Sequence, residues 1–179
     1  MKKLIILLFF IPSLVMAQHY TDIIEIPNKN SDQLYLAAKE WFGLNFNTSK
    51  NKIQWDDLAL KKIIANGKRQ IEYQCTNGKM HMDIFYTIGA ELKEGKFKYD
   101  IFSTKLSMGK WPNSTYNRLK KSVEKDELRL KRMQDKQKVS RKNSKKSCEE
   151  CLKSGKEAIE KIEAQLHEVI DELTLALKK

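Results

Sequence analysis

The sequence predicts an α+β fold, in which an antiparallel β-meander has a helix packed on one face and long helices follow at the C-terminus. Residues 80–92 carry apolar side chains at every second position, which is typical of a strand with one buried face. Residues 31–46 instead repeat apolar side chains at intervals of three and four, which predicts a helix with one apolar face. An antiparallel sheet covered on a single side has one buried apolar face and one polar face. The predicted strands have this pattern.

The first half of the chain predicts the opening of the order β-α-β-β-β-β-α. Residues 20–26 are rich in β-branched side chains and end at Pro27, which has no N–H for a β-ladder. Asn30 or Ser31 can then accept hydrogen bonds from the free amides at the start of the helix.

Extended stretches separated by turn residues follow the helix. A short strand is expected at residues 53–55, and residues 61–65 are a candidate for another strand before a turn at Asn66 and Gly67. Residues 69–75 alternate apolar and polar side chains. Asn77 and Gly78 tolerate the positive φ of a type I′ turn, so they predict a hairpin.

The second half of the meander has the clearest strand pattern. Its apolar face consists of Met80, Met82, Ile84, Tyr86, Ile88, Ala90 and Leu92. In the next strand, residues 97–108, the apolar face changes phase near Ile101 and Phe102. A change of phase predicts a β-bulge at that point.

The chain after Pro112 lacks strand signals and predicts helices. A thin apolar stripe indicates one long helix and consists of Tyr116, Leu119, Val123, Leu130 and Met133. Residues 138–147 have almost nothing to bury and predict a solvated linker. The last helix has a stronger stripe, from Ile159 to Ala176, which either packs on the sheet or pairs as a coiled coil.

Residues 1–17 have the features of a cleavable signal peptide. Lys2 and Lys3 precede an apolar run from Leu4 to Ile11, and Ala17 ends a small-residue cleavage site. The apolar run is shorter than the about 20 residues that cross a bilayer. We therefore expect an exported protein, periplasmic or secreted, with no transmembrane helix after processing.

The expected organisation is one domain, residues 18–109, followed by a basic helical insertion and linker, 110–147, and a C-terminal amphipathic helix, 148–179. The charge is uneven, since residues 110–156 hold 16 basic and 6 acidic side chains. A basic segment of this kind can bind polyanions. The candidate contacts are Arg118, Lys120, Lys121, Arg129, Lys131, Arg132, Arg141, Lys142, Lys145 and Lys146. The alternative is a solvated helix whose charges serve solubility.

Cys148 and Cys151 form a C-x-x-C pair, the spacing in this chain most able to carry chemistry. In an oxidising compartment a local disulfide is expected. A thioredoxin-like site would follow a βαβ unit, and zinc would need two further ligands; the surrounding sequence supplies neither. Cys75 lies on the apolar face of its strand and predicts a buried thiol.

Two other groups of polar residues admit a chemical role. His81 and Asp83 share one strand face and could form a hydrogen-bonded pair, although a solvated sheet face explains them equally. Glu163, His167 and Asp171 follow one another at intervals of four and so share one helix face. They could be metal ligands, or they could form the solvated side of an amphipathic helix. Neither a nucleophile elbow nor a phosphate loop is present in the sequence. No catalytic residue, cofactor or metal site is expected. We therefore do not expect the protein to be an enzyme.

Four short stretches carry a resemblance to a known family, and they are residues 23–27 (IIEIP), 31–35 (SDQLY), 38–42 (AKEWF) and 53–57 (IQWDD). They resemble the DUF4468 family, which is found among exported proteins of Bacteroidota and has a TBP-like fold. The resemblance covers about residues 20–109, and the family's closing helix would correspond to residues 157–178. Residues 112–150 then look like an added basic insertion. The resemblance implies a TBP-like fold and no activity.

The expected function is therefore a non-enzymatic binding or structural module whose basic helical tail meets a protein or an anionic envelope component. Chromosomal DNA is not an expected partner of an exported protein, and self-association through the last helix is open. An alternative is a small-molecule or lipid pocket between sheet and helix, lined by Trp41, Phe42, Met80, Met82 and Tyr86. A third hypothesis is a C-x-x-C thiol oxidoreductase.

Overall fold

The computed structural model describes residues 20–75, 78–108, 111–135 and 142–179 as six strands and three helices. The strands are β1 (Tyr20–Glu25), β2 (Lys52–Asp57), β3 (Lys62–Cys75), β4 (Gly78–Lys93), β5 (Lys96–Met108) and β6 (Trp111–Thr115). The helices are α1 (Ser31–Asn45), α2 (Tyr116–Asp135) and α3 (Lys142–Lys178). The predicted α+β class is confirmed. The signal-peptide prediction lies outside the described residues.

The strands form one antiparallel sheet in the order β1-β5-β4-β3-β2. Two short strands share the outer edge of β5, because β1 pairs with its first half and β6 with its second. Tyr20 is opposite Ile101, and Ser114 is opposite Leu106. The chain thus occupies the outer edge of β5 twice, first with β1 and then with β6, and β6 leads directly into α2.

Helix α1 begins where the sequence predicts it. The side chain of Asn30 accepts a hydrogen bond from the Gln33 amide at 2.9 Å, and the Gln33 side chain accepts one from the Asn30 amide at 3.0 Å. This reciprocal capping box satisfies two free amides of the first turn.

Both α1 and the second half of α3 pack on the same face of the sheet and form one core with it. Phe42 from α1, Ile84 from β4 and Leu166 from α3 are all almost fully buried there. The apolar stripe of the last helix therefore takes the first of its two expected positions, against the sheet.

The meander confirms the predicted phase change and corrects one strand. The β4–β5 register shifts between Phe85 and Thr87, which places the bulge between Phe102 and Lys105. The separate strand expected at residues 61–65 is wrong, because β3 runs without a break through Gly67. Gly67 lets the backbone of β3 lie close to the ring of Tyr86, since a Cβ at this position would collide with that ring.

The β3–β4 hairpin is confirmed by the pairing of Cys75 with Gly78, whose φ is +113°. Residues 76 and 77 lie outside the described residues. The type I′ turn predicted at Asn77 and Gly78 therefore falls partly outside the described part of the chain.

Two predictions for the tail are wrong. Residues after Pro112 do form a strand, because the second half of β5 is left unpaired by β1 and accepts β6 along its edge. Residues 142–147, expected in a linker, form the first turns of α3. Residues 138–141 lie outside the described part of the chain.

Candidate functional site

Helices α2 and α3 form an antiparallel hairpin that is closely packed along its length. Val123 of α2 is buried against Gly155 of α3, where a Cβ would lie only 2.6 Å from a Val123 methyl carbon. Lys156 Nζ lies 2.7 Å from the Glu127 carboxylate. The apolar stripe predicted for α2 therefore faces α3, and α2 presents its other side to solvent.

The base of the hairpin is held by a partly buried polar cluster. The Tyr116 hydroxyl donates to the Glu163 carboxylate, and Tyr20 Oη lies 3.2 Å from the same oxygen. Lys120 Nζ lies 3.6 Å from that oxygen and over the Tyr116 ring. Burial raises the pKa of the Tyr116 hydroxyl, and its hydrogen bonds to Glu163 and Tyr20 raise that pKa further. This cluster joins β1, α2 and α3 at one point.

The solvent side of α2 carries an unbroken row of cations, which we call the basic face. It consists of Arg118, Lys121, Lys125, Arg129 and Arg132, all exposed and spaced by three or four residues. At 3.6 residues per turn and 1.5 Å per residue, the row occupies an arc of about 80° and runs for about 21 Å. The exposed acid Glu124 lies on the flank of this arc.

The cations of the basic face are not neutralised within the described part of the chain. None of the five has an ion-pair partner there, whereas Lys120, Lys145 and Lys156 on the same two helices each have one. Leu128 lies at the edge of this row, about 20° outside its arc on the side of Lys121, and is 55% exposed. The surface therefore combines uncompensated positive charge with one exposed apolar side chain.

Four predicted polyanion contacts lie on the basic face, and they are Arg118, Lys121, Arg129 and Arg132. Lys120 points toward Glu163 instead. Lys125 was missed in the sequence, although its spacing of four from both Lys121 and Arg129 signals a shared helix face.

The remaining predicted contacts lie elsewhere. Lys131 is exposed on the flank of α2, and Lys146 is exposed on α3. Lys145 Nζ lies 3.9 Å from the Glu149 carboxylate one turn later. Arg141 and the side chain of Lys142 lie outside the described part of the structure.

The C-x-x-C pair lies in the first half of α3, and the disulfide expected there is not formed in the structure. Cys148 is buried, and its Sγ lies 3.7 Å from the Asp126 carbonyl oxygen on α2. Cys151 is exposed. The two thiols differ in environment because the first is a packing residue of the hairpin. Cys75 is half-buried against the main core.

The other polar candidates are engaged in separate contacts. Asp83 pairs with Lys68 at 2.5 Å, and His81 Nε2 lies 3.9 Å from Glu72. His167 packs edge-on against the Tyr20 ring, away from any set of ligands. Within the described ranges, no group of three His, Cys, Asp or Glu side chains is placed to hold a metal ion.

The side chains proposed for a sheet–helix pocket fill the core. Trp41 and Phe42 pack edge to face with ring centroids 5.0 Å apart, and Met82 and Tyr86 are buried. Three cavities of about 470, 410 and 270 Å³ are lined by other residues, such as Leu152, Gln165 and Ser154 respectively.

The part of the chain that contains β1, α1 and the four strands of the meander matches a known family. Residues 20–106 match a family described as a domain of unknown function (DUF4468) with TBP-like fold. Residues 20–106 are a DUF4468 domain. The match ends in β5, so the basic face and both helices of the hairpin lie outside the matched DUF4468 residues.

Two crystal structures are similar to this chain. A DUF4468 family protein from Bacteroides ovatus is 15% identical with a TM-score of 0.49, over 54% of this chain and 58% of that protein. A TBP-like protein from Parabacteroides distasonis is 12% identical with a TM-score of 0.51, over 87% of this chain and 92% of that one. The second likeness shows the TBP-like fold. No curated protein matches the chain.

Proposed function

We propose that this protein is an exported, non-enzymatic binding module that uses the basic face of α2 to bind an anionic partner. The observation that supports this most strongly is the row of five exposed cations without ion pairs among the described residues. Unpaired cations in a row attract polyanions electrostatically, and this attraction raises both the affinity and the rate of association.

The basic face is costly to the isolated helix, which also supports a binding role. Like charges three or four residues apart on a helix destabilise it by about 0.2–0.5 kcal/mol per pair. Lys121, Lys125 and Arg129 form two consecutive pairs at a spacing of four. An anionic partner would relieve this repulsion, whereas charges that serve only solubility would be mixed in sign.

The basic face is also held rigidly. Tyr116, Val123 and Glu127 contact α3 from three different turns of α2. A surface that is already ordered loses little conformational entropy when a partner binds. The hairpin therefore presents its cations in a fixed row.

The proposals of export and of a non-enzymatic role have separate supports. Export is supported by the order of charged, apolar and small residues in residues 1–17. A non-enzymatic role is supported by how the reactive side chains are used. Asp83 accepts from Gln70 and pairs with Lys68, and Cys148 packs inside the hairpin.

Chromatography on immobilised heparin, a sulfated polyanion, tests the binding role. The chain from Gln18 onward contains every described residue and should be retained until the salt concentration is raised. The variant Lys125→Glu/Arg129→Glu should elute at a much lower salt concentration. The matched control is Lys52→Glu/Lys96→Glu, which makes the same change of net charge at exposed positions of the sheet.

The two variants decide the outcome together, and circular dichroism should show that both remain folded. Loss of retention in the α2 variant alone assigns binding to the basic face. Equal loss in both variants would show that only net charge matters, and no retention of the unmodified chain would remove the proposal.

A further inference from the structure

We infer that the anionic partner of the basic face is the surface of a bilayer that contains anionic lipids, an inference that rests on the proposed function. The geometry that points to a bilayer is the position of Leu128 at the edge of the row of cations. Leu128 is 55% exposed on a helix whose other apolar side chains face α3. Bilayer surfaces bind helices through cations for the headgroups and apolar side chains for the acyl boundary.

The basic face is uncovered along its whole length. Its cations lie along the axis of one helix, and all of them are exposed from Arg118 to Arg132. A row of about 21 Å can lie parallel to a plane, so that every cation reaches the headgroups at once. The stems of lysine and arginine extend the apolar surface while their charged ends stay hydrated.

The same geometry favours a bilayer over a nucleic acid. Side chains that stack on bases are aromatic, and the aromatic residue of α2, Tyr116, is buried at the foot of the hairpin. An exposed leucine beside phosphate-binding cations has no counterpart on the phosphate backbone, whereas it can enter the boundary below lipid headgroups.

Binding at the surface also suits the helices of this chain. None of the helices in the described ranges is both long and apolar enough to cross a bilayer. Attraction between five cations and an anionic surface, together with one inserted leucine, gives reversible and salt-sensitive attachment. The hairpin would thereby hold the DUF4468 domain beside the bilayer.

Co-sedimentation with vesicles tests this inference on the chain from Gln18 onward. One set of vesicles contains phosphatidylglycerol and phosphatidylcholine, and the other contains phosphatidylcholine alone. We expect binding to the first set only. Lys125→Glu/Arg129→Glu should lower the partition coefficient by at least about tenfold, because each cation near an anionic surface contributes about 1 kcal/mol.

Leu128 separates a bilayer from other polyanions. Leu128→Ser should lower vesicle binding by about threefold to tenfold, because burial of a leucine side chain contributes to insertion. The same variant should elute from heparin at an unchanged salt concentration. Leu36→Ser is the matched control, because Leu36 is an exposed leucine on α1, 65% exposed, outside the basic face.

Each result has a defined meaning. Retention on heparin without binding to phosphatidylglycerol vesicles would overturn the bilayer inference and leave the proposed function standing. Failure to bind either probe would overturn both. Dimers that form without vesicles and dissociate in the Lys125→Glu/Arg129→Glu variant would assign the basic face to a second copy and overturn the inference.

Discussion

The hydroxyl of Tyr116 donates a hydrogen bond to the carboxylate of Glu163, and this contact fixes the first turn of α2 on α3. Tyr116 is 2% exposed, and Tyr20 of β1 lies 3.2 Å from the same carboxylate oxygen. The two tyrosines therefore hold the hairpin, and with it the basic face, on the edge of the sheet.

Removal of the Tyr116 hydroxyl should loosen this attachment. We expect Tyr116→Phe to lower the free energy of unfolding by about 1–2 kcal/mol, because a partly buried carboxylate loses a donor. Urea unfolding measures the change. Tyr99→Phe is the control, because the Tyr99 hydroxyl has no hydrogen-bond partner among the described residues. An equal loss in both variants would contradict a specific role of the Tyr116–Glu163 contact.

Stability at alkaline pH should depend on the same tyrosine. Burial, followed by hydrogen bonds to Glu163 and Tyr20, raises the pKa of Tyr116 above its value of 10.0 in a model compound. A group whose pKa is higher in the folded state contributes stability that is complete below the unfolded pKa and is lost as the pH rises further.

The predicted pH effect is a difference between two proteins. The free energy of unfolding of the unmodified chain should fall above about pH 10, with Tyr116 contributing a slope of up to about 1.4 kcal/mol per pH unit. Tyr116→Phe should fall less steeply, since it lacks that ionisation. Urea unfolding between pH 8 and 11 measures both chains, and parallel curves would contradict the prediction.

Two helical glycines should respond oppositely to alanine. Gly155→Ala places a methyl group 2.6 Å from a Val123 methyl carbon, so we expect a loss of about 1–3 kcal/mol from overpacking. Gly43→Ala meets nothing within 4 Å on α1 and should stabilise the protein by roughly 0.5–1 kcal/mol. Thermal unfolding distinguishes them, and Val123→Ala should restore stability to Gly155→Ala. A stabilising Gly155→Ala would show that α2 and α3 are not closely packed.

Two side chains of α3 cover the edge of β3 beyond the end of β2. Self-association should increase when they are removed. Lys161 Nζ donates to the Glu72 carbonyl at 2.6 Å, and Glu157 accepts from the Gln74 amide at 3.3 Å. An uncovered edge can pair with another chain. Lys161→Ala/Glu157→Ala should therefore increase self-association in sedimentation velocity.

A second charged pair of α3 provides the control for this edge. Lys145 and Glu149 have the same spacing, and among the described residues neither forms a hydrogen bond or ion pair with a strand. Lys145→Ala/Glu149→Ala should leave the sedimentation profile unchanged. If both double variants self-associated equally, the effect would come from lost helix stability and not from the open edge.

Periodic sequence signals predicted most of the fold. The period of two in β4 and the spacings of three and four in α1 and α3 arise because each element buries one face. A long element repeats this pattern several times, which makes it recognisable. The phase change in β5 likewise predicted the bulge between Phe102 and Lys105, because a bulge is the local means of exchanging the two faces of a strand.

Features set by tertiary contacts were missed. β6 is five residues long and forms because β5 offers a free edge, which no local pattern announces. Gly67 was interpreted as a turn residue, whereas the ring of Tyr86 on the neighbouring strand requires its lack of a side chain. Residues 142–147 extend α3 because propagation of an existing helix is far easier than its nucleation, and lysine is a good helix former.

The candidate surface was predicted in composition and only partly in membership. The count of basic residues pointed to the tail, yet the side of α2 that meets α3 decides which cations are free. Lys120 proved to face Glu163, and Lys125 proved to face solvent. The apolar stripe of α2 indicates its buried side, but the contact between Val123 and Gly155 of α3 is tertiary and is not contained in the sequence of α2.

The most direct test of the basic face is an NMR titration of the ¹⁵N-labelled chain from Gln18 onward with a short heparin fragment. We predict that the shifted amide signals belong to α2 between Arg118 and Arg132, and that signals of the sheet and of α1 stay in place. Shifts concentrated on the solvent face of the sheet, around Phe85 and Trp55, with α2 unaffected would contradict the assignment of binding to the basic face.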